Sequence, residues 1–299
     1  MASAPIARNP APAPMRASPP LRTMADRLGP LADLAGTWVG SGFNLISLPD
    51  FDSRPPSDGP KAFRLKLNAT RETLQFIPIG GPVPNRGSIT DIGTGTGQPD
   101  IHLHGLTYLQ RVSDALTNDA LHIEPGIWLN VPATTVLPVQ TASVVRLGTI
   151  PHGDSLLAQG NSLTVAGGPV IAAVDSTPTG PGILPGYLDP FLNPPLPPGF
   201  KLPFVKNPNL ALQEAIQGQT ITNTVVLIIS TNPSGGIVNI PFVVHNANAT
   251  KLDAVFWIET VQQPDGSGTF MQLQYTQTVI LNFLGIDWPH ISVATLVKQ

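Results

Sequence analysis

The chain closes on Trp288-Pro289-His290-Ile291-Ser292-Val293-Ala294-Thr295-Leu296-Val297-Lys298, a run rich in strand-forming residues. Side chains alternate across a strand, so His290, Ser292, Ala294 and Leu296 share one face while Ile291, Val293, Thr295 and Val297 share the other. An imidazole on a face of small or apolar side chains is either a buried histidine with a private partner or a ligand for something. Just upstream lies the clearest hairpin of the chain. Residues 254–261 reach a turn at Pro264-Asp265-Gly266, and residues 269–283 return. On the return strand Met271, Leu273, Tyr275, Val279 and Leu281 point one way; Gln272, Gln274, Thr276 and Thr278 point the other. That polar row faces water outside the fold or lines a wet cavity inside it, and alternation alone does not choose.

The composition extends the β reading to the whole chain. Among 299 residues there are 34 prolines and 28 glycines, which favours short strands and many loops over long helices, while 41% hydrophobic residues supply a core. A net charge of −3 with 12% charged residues leaves no polybasic footprint for nucleic acid. With no cysteine there is no disulfide framework, no thiolate metal site and no haem held through cysteine thiolate or thioether linkage. No apolar run is long enough for a membrane-spanning helix, and residues 1–24 lack the apolar centre of a secretory signal. Cytoplasmic residence is therefore the default expectation. The Ala- and Pro-rich residues 1–30 read as a disordered extension, and residues 31–299 as one domain.

Leu34-Ala35-Gly36-Thr37-Trp38-Val39-Gly40-Ser41-Gly42-Phe43 has the glycine and tryptophan texture of an opening barrel strand, where glycine permits close backbone approach. Residues 55–60 form a loop. Residues 63–70 alternate apolar and polar, and short β segments follow at 73–79, 101–112, 120–131, 143–150 and 155–165. A proline-rich excursion over about 167–208 breaks this rhythm. It carries Leu184, Tyr187, Phe191, Leu192, Phe200 and Phe204, too apolar for a tether, and so packs over the domain or a neighbouring subunit, with homo-oligomer formation as one consequence. One helix is predicted at 207–217, stopped by Gly218, before strands resume at 219–230 and 236–244. The fold class is all-β: a single antiparallel barrel of lipocalin or fatty-acid-binding type, whose closure removes sheet edges and leaves room for a small ligand.

Other candidate residues have competing readings. His122 and Glu124 alternate onto one face with Gly126 and Trp128; they line a cavity as an acid–base pair or lock neighbouring strands. His102 and His104 form an H-x-H pair on one strand face, suited to a non-haem metal with His122 or Glu124 added from another strand, to distal positions over a haem in contact with bound gas or peroxide, or to ordinary strand histidines. Pro151-His152-Gly153-Asp154-Ser155 reads as a surface turn, since adjacent residues in a turn rarely aim at one point. Gly93-Thr94-Gly95-Thr96-Gly97 is a loop without the helix and lysine of a phosphate cradle, and His245 is a strand-end residue.

Three segments together resemble the nitrobindin family, small ten-stranded barrels that hold haem. Leu34-Ala35-Gly36-Thr37-Trp38-Val39-Gly40-Ser41-Gly42 looks like its opening L-x-G-x-W-x-G-x-G strand, and Leu121-His122-Ile123-Glu124-Pro125-Gly126-Ile127-Trp128 is similar to its central H-x-E-x-G-x-W/L motif. The tail from His290 to Lys298 looks like the closing H-L-x-A-x-L-x-R strand, and residues 74–82 are a weaker fourth match. The chain departs from the family where Phe43-Asn44-Leu45-Ile46 replaces a Tyr-Pro segment, and in the extra material from 167 to 250. The resemblance implies haem as cofactor with His290 as proximal iron ligand, and His122, Glu124, Trp128 and Trp38 around the cofactor. Diatomic gas binding or peroxide-dependent oxidation would follow. The residues themselves leave two alternatives open: a non-catalytic carrier of a hydrophobic small molecule, and a non-haem metal enzyme built on His102, His104 and His122.

Overall fold

A computed structural model describes residues 26–50, 63–91, 93, 96–136 and 139–299. Most of the N-terminal extension, the 55–60 loop and part of the Gly93–Gly97 loop lie outside the described residues. Ten long antiparallel strands form the barrel: β1 (Gly36–Pro49), β2 (Phe63–Pro78), β3 (Ile101–Asp114), β4 (Ala120–Val131), β5 (Ser143–Ile150), β6 (Asp154–Ala166), β7 (Ile221–Asn239), β8 (Asn248–Gln262), β9 (Thr269–Phe283) and β10 (Ile286–Lys298). The order is β2-β1-β10-β9-β8-β7-β6-β5-β4-β3, and β3 pairs back onto β2, so the sheet closes. Closure leaves no edge to template aggregation. The first and last strands are neighbours, with Trp38 opposite Lys298 and Leu45 opposite Ile291. A Cβ on Gly40 would come within 2.1 Å of the Thr295 carbonyl oxygen, so glycine is what lets this seam form.

The barrel has two apolar clusters, one on each side of its wall. Inside are Trp38, Leu74, Phe76, Leu106, Tyr108, Trp128, Phe256, Leu273, Tyr275 and Leu296. One end of this interior is shut by a 3-10 helix (Gly29–Leu34), whose Leu31 and Leu34 are fully buried in it; Trp38 Nε1 donates to the Leu34 carbonyl at 2.7 Å. Burial of two leucines stabilises this lid by roughly 3–6 kcal/mol.

The second cluster lies outside, beneath a wrap that runs from Gly167 to Thr220 and includes α1 (Asp189–Leu192), α2 (Leu202–Lys206) and α3 (Asn209–Ala215). Ile171, Tyr187, Phe191, Phe204, Val205 and Leu212 of the wrap pack on Phe43, Leu45, Phe63, Trp257, Ile291 and Val293 of the strands. The excursion therefore serves its own barrel, though Leu184 and Leu192 stay exposed. The polar row of β9 also lies beneath this wrap and is bonded to it. Gln274 donates to the Leu212 carbonyl at 3.0 Å, Gln272 exchanges bonds with Gln219, and Thr276 donates to Asn209 Oδ1. Neither solvent nor a wet interior receives these groups; a covering segment does.

The predicted helix at 207–217 is α3, but there are three further short α-helices. The strand expected over 236–244 ends at Asn239, because Pro241 has no N–H to give the ladder and instead starts α4 (Pro241–Asn246), which contains His245.

Candidate ligand-binding site

Register and alternation place three layers of side chains inside the barrel. The layer at the closed end is aromatic: Trp128 meets Phe256 edge-on at 5.1 Å, and Phe256 stacks on Tyr275 at 5.4 Å. Trp38 belongs to the same end, beneath the 3-10 lid.

The middle layer is charged. Arg146, on the inward face of β5 between Val144 and Gly148, donates to Glu124 Oε1 at 2.8 Å, to Tyr108 Oη at 3.0 Å and to Gln277 Oε1 at 2.6 Å. Tyr108 also donates to Glu124, and His122 Nε2 lies 3.3 Å from Glu124 Oε2. Burial alone would raise the Glu124 pKa; the adjacent Arg146 charge and the bonds from His122 and Tyr108 outweigh it and hold the pKa at about 2. Across the same layer Glu72 accepts from Tyr275 Oη at 2.6 Å and from Thr70 Oγ1 at 2.9 Å, with Gln110 donating to Tyr275 at 2.9 Å. Among the described residues no Lys or Arg forms an ion pair with Glu72, and burial raises its pKa despite these bonds and the nearby His122. The two carboxyls thus have opposed tendencies, one fixed as an anion and one driven toward the neutral acid.

The third layer faces the open end. His290 Nε2 and Ser292 Oγ both reach Asn44 Oδ1, at 2.8 and 3.2 Å. An amide oxygen only accepts, so Nε2 carries the hydrogen and the neutral ring keeps its Nδ1 lone pair. Nδ1 makes no hydrogen bond among the described residues. Burial, with lesser contributions from His122 and His152, drives the His290 pKa down to about 3, so the ring is neutral at any ordinary pH. His122 stands 6.3 Å, ring to ring, from His152 in the β5–β6 turn. Between β4 and β5 the ladder is paired only from Gly126 and Gly148 onward, so residues 120–125 make no ladder pairs with that turn.

Around these rings the interior is not filled. His290, Asn44, Ser292 and His122 face inward yet are only half-buried, as are the apolar Ile150, Ile237 and Val279 packed against the inner cluster. These inward-facing groups keep accessible surface, so the open half above the charged layer, here called the chamber, is not fully packed. Its rim carries exposed Val238, Ile240, Phe242 and Val244 at the β7–α4 junction, and the Ile240 N–H binds the Gly153 carbonyl beside His152 at 2.9 Å. A cavity of about 740 Å³, whose lining includes none of His290, Asn44, Ser292, Ile150, Ile237 and Val279, opens beside His122 and His152 along Arg71, Thr73 and Arg111 and touches Glu72.

The residues singled out from sequence are thereby sorted. His290, His122 and Glu124 share the open half, and the His122–Glu124 pair is real. Trp38 and Trp128 belong to the closed end and do not join them. His102 and His104 lie at the closed end too, opposite Pro84 and Asn130. His104 is eight positions along β3 from Val112, the partner of His122, or about 26 Å at the strand rise. The set His102, His104 and His122 is therefore not assembled, and among the described residues no group of three or more His, Asp or Glu is placed to hold a metal ion. From the sequence, Asn44, Ser292 and Arg146 were given no role in a site, and His152 read as part of a surface turn. Asn44 and Ser292 carried a signal: both fall in phase with inward positions of β1 and β10. Arg146 looked like any strand charge, and His152 reaches the chamber only through closure of the barrel.

A comparison with protein families gives no match, and neither does one with curated proteins. Among solved structures, the crystal structure of Rv2717c from M. tuberculosis is similar over 92% of this chain and 97% of that chain, at 15% sequence identity and a TM-score of 0.43. Among the described residues no helix is long and apolar enough to cross a membrane.

Proposed function

We propose that the protein is a ligand-binding barrel that takes haem into the open-end chamber, with His290 as the axial ligand. One observation carries this reading: the pairing of His290 Nε2 with Asn44, which leaves a neutral ring with a free Nδ1 lone pair. A metal-bound imidazole needs a neutral nitrogen toward the metal and an acceptor that fixes the other one. The surrounding groups fit a flat, mostly apolar ligand. Ile150, Ile237 and Val279 supply apolar wall, and the charged layer supplies a floor that restricts the ligand to the open half. Bound haem, held by His290, would supply an iron able to bind a diatomic gas or react with peroxide.

Titration with haemin is the test. An intense, shifted Soret band at one haem per chain, lost in His290→Ala and broadened or weakened in Asn44→Ala, is the expected result. A band unaffected by His290→Ala would refute it. The second reading, an iron-free carrier of a hydrophobic molecule, draws on the apolar chamber wall and the exposed Phe242 and Val244 at its rim. It predicts no Soret shift, with lipid recovered by extraction of the purified protein.

A further inference from the structure

On the outer face of the wall beside the chamber, Arg71 of β2 lies opposite Ser113 of β3, and Thr73 lies opposite Arg111. The antiparallel register thus sets two guanidinium groups diagonally across neighbouring strands, on one face, with a hydroxyl beside each. Long side chains at such diagonal positions reach one another. Two like charges held there repel unless something negative joins them.

No carboxylate among the described residues pairs with either arginine. The acids nearest in sequence are committed elsewhere. Glu72 points inward to Tyr275 and Thr70, with burial favouring its neutral form. Asp114 accepts from Asn68 and from the Leu116 and Thr117 amides. Both arginines line the 740 Å³ cavity that also holds His122 and His152, and its apolar lining includes Val39, Leu121 and Ile123. Val39 and Ile123 are exposed, at 42% and 43%.

We propose that this cavity binds an amphipathic oxyanion, a carboxylate or phosphate monoester, whose head is gripped by Arg71 and Arg111 and whose apolar body lies along Val39, Leu121 and Ile123. Guanidinium forks match planar and tetrahedral oxyanions through paired N–H donors, and Ser113 and Thr73 add hydroxyls at the same place. His122 and His152 in the lining add ring nitrogens and no negative charge. The site does not depend on haem or on His290.

Calorimetric titration of the full chain with octyl phosphate, octanoate and octanol separates head from body. Octyl phosphate or octanoate is expected to bind at least about tenfold more tightly than octanol, the scale of one charged hydrogen bond. Arg71→Gln/Arg111→Gln should remove that advantage while leaving octanol binding unchanged. Lys251→Gln, whose partner is Asp253, should change nothing. Both arginines are exposed, so the double variant should unfold at the wild-type temperature, and that measurement guards against loss through misfolding. Equal binding of the three probes, or an anion preference that survives the double variant, overturns the proposal. A preference for phosphate over octanoate would assign the head as phosphate, and the reverse as carboxylate; either supports the site. The haemin titration with His290→Ala is read separately, so either proposal can fail without the other.

Discussion

Replacing Arg146 by methionine tests the charged layer on which the chamber rests. Arg146 is 1% exposed and Glu124 is fully buried, so the substitution leaves a carboxylate in the barrel without its cation. Breaking a buried pair in this way costs about 3–5 kcal/mol. The pH dependence gives an independent estimate. With its folded pKa at about 2 against an ordinary 4.5, Glu124 contributes stability that is full above pH 4.5 and disappears as pH falls through 2. That depression corresponds to about 3 kcal/mol. In Arg146→Met it is gone, and burial pushes the lone carboxyl upward instead. The variant should therefore be about 3–5 kcal/mol less stable than wild type near neutral pH, and the gap should narrow as acid protonates Glu124. Glu124→Gln/Arg146→Met should recover a large part of the loss, because no uncompensated charge remains. Urea unfolding followed by tryptophan fluorescence, across pH, measures all three proteins. A loss below about 1 kcal/mol for the single variant, or a gap that does not change with pH, would refute the reasoning.

Three further outcomes follow from the packing. Glu259, beneath the wrap, accepts from Gln272 at 2.6 Å, its other oxygen has no partner, and burial raises its pKa to about 7. A carboxyl raised in the folded state favours folding while both states are protonated, and that contribution falls by about 3 kcal/mol as pH climbs from 4.5 to 7. Glu259→Gln should flatten this slope in unfolding curves taken at several pH values. Asn209 ties two parts of the wrap together through the Ala172 carbonyl at 2.7 Å and joins the wrap to the barrel through Thr276, so Asn209→Ala should cost about 1–3 kcal/mol and speed proteolysis within residues 167–220. Gly40→Val cannot keep the β1–β10 seam without shifting it, and its thermal midpoint should fall; an unchanged midpoint would mean that seam is looser than described.

Much of the architecture was legible in the chain. Trp38 with its flanking glycines, the 254–283 hairpin and the closing strand at 288–298 identified a closed β fold, because each pairs period-two alternation with a turn or a close approach that only particular residues allow. The wrap was legible as something too apolar to be a tether, but its partner was not, since the outer faces of β1, β9 and β10 look like any amphipathic strand until the segment is laid on them. The β9 glutamine row was ambiguous for the same reason: alternation gives the face and not its neighbour. His290, His122 and Glu124 were found as inward residues, whereas Trp38 and Trp128, grouped with them from sequence, pack toward the closed end. Strand tilt separates residues of one face along the axis, and sequence spacing within a strand carries no information about the height of another.

The central claim is that His290 presents a free, neutral nitrogen to a ligand in the open half of the barrel. Haemin added to the purified protein and to His290→Ala, read at the Soret band, tests it directly. The account predicts a band that saturates at one equivalent and disappears in the variant while His102→Ala and His104→Ala retain it. A band that survives in His290→Ala, or one abolished by the closed-end histidines instead, would contradict it.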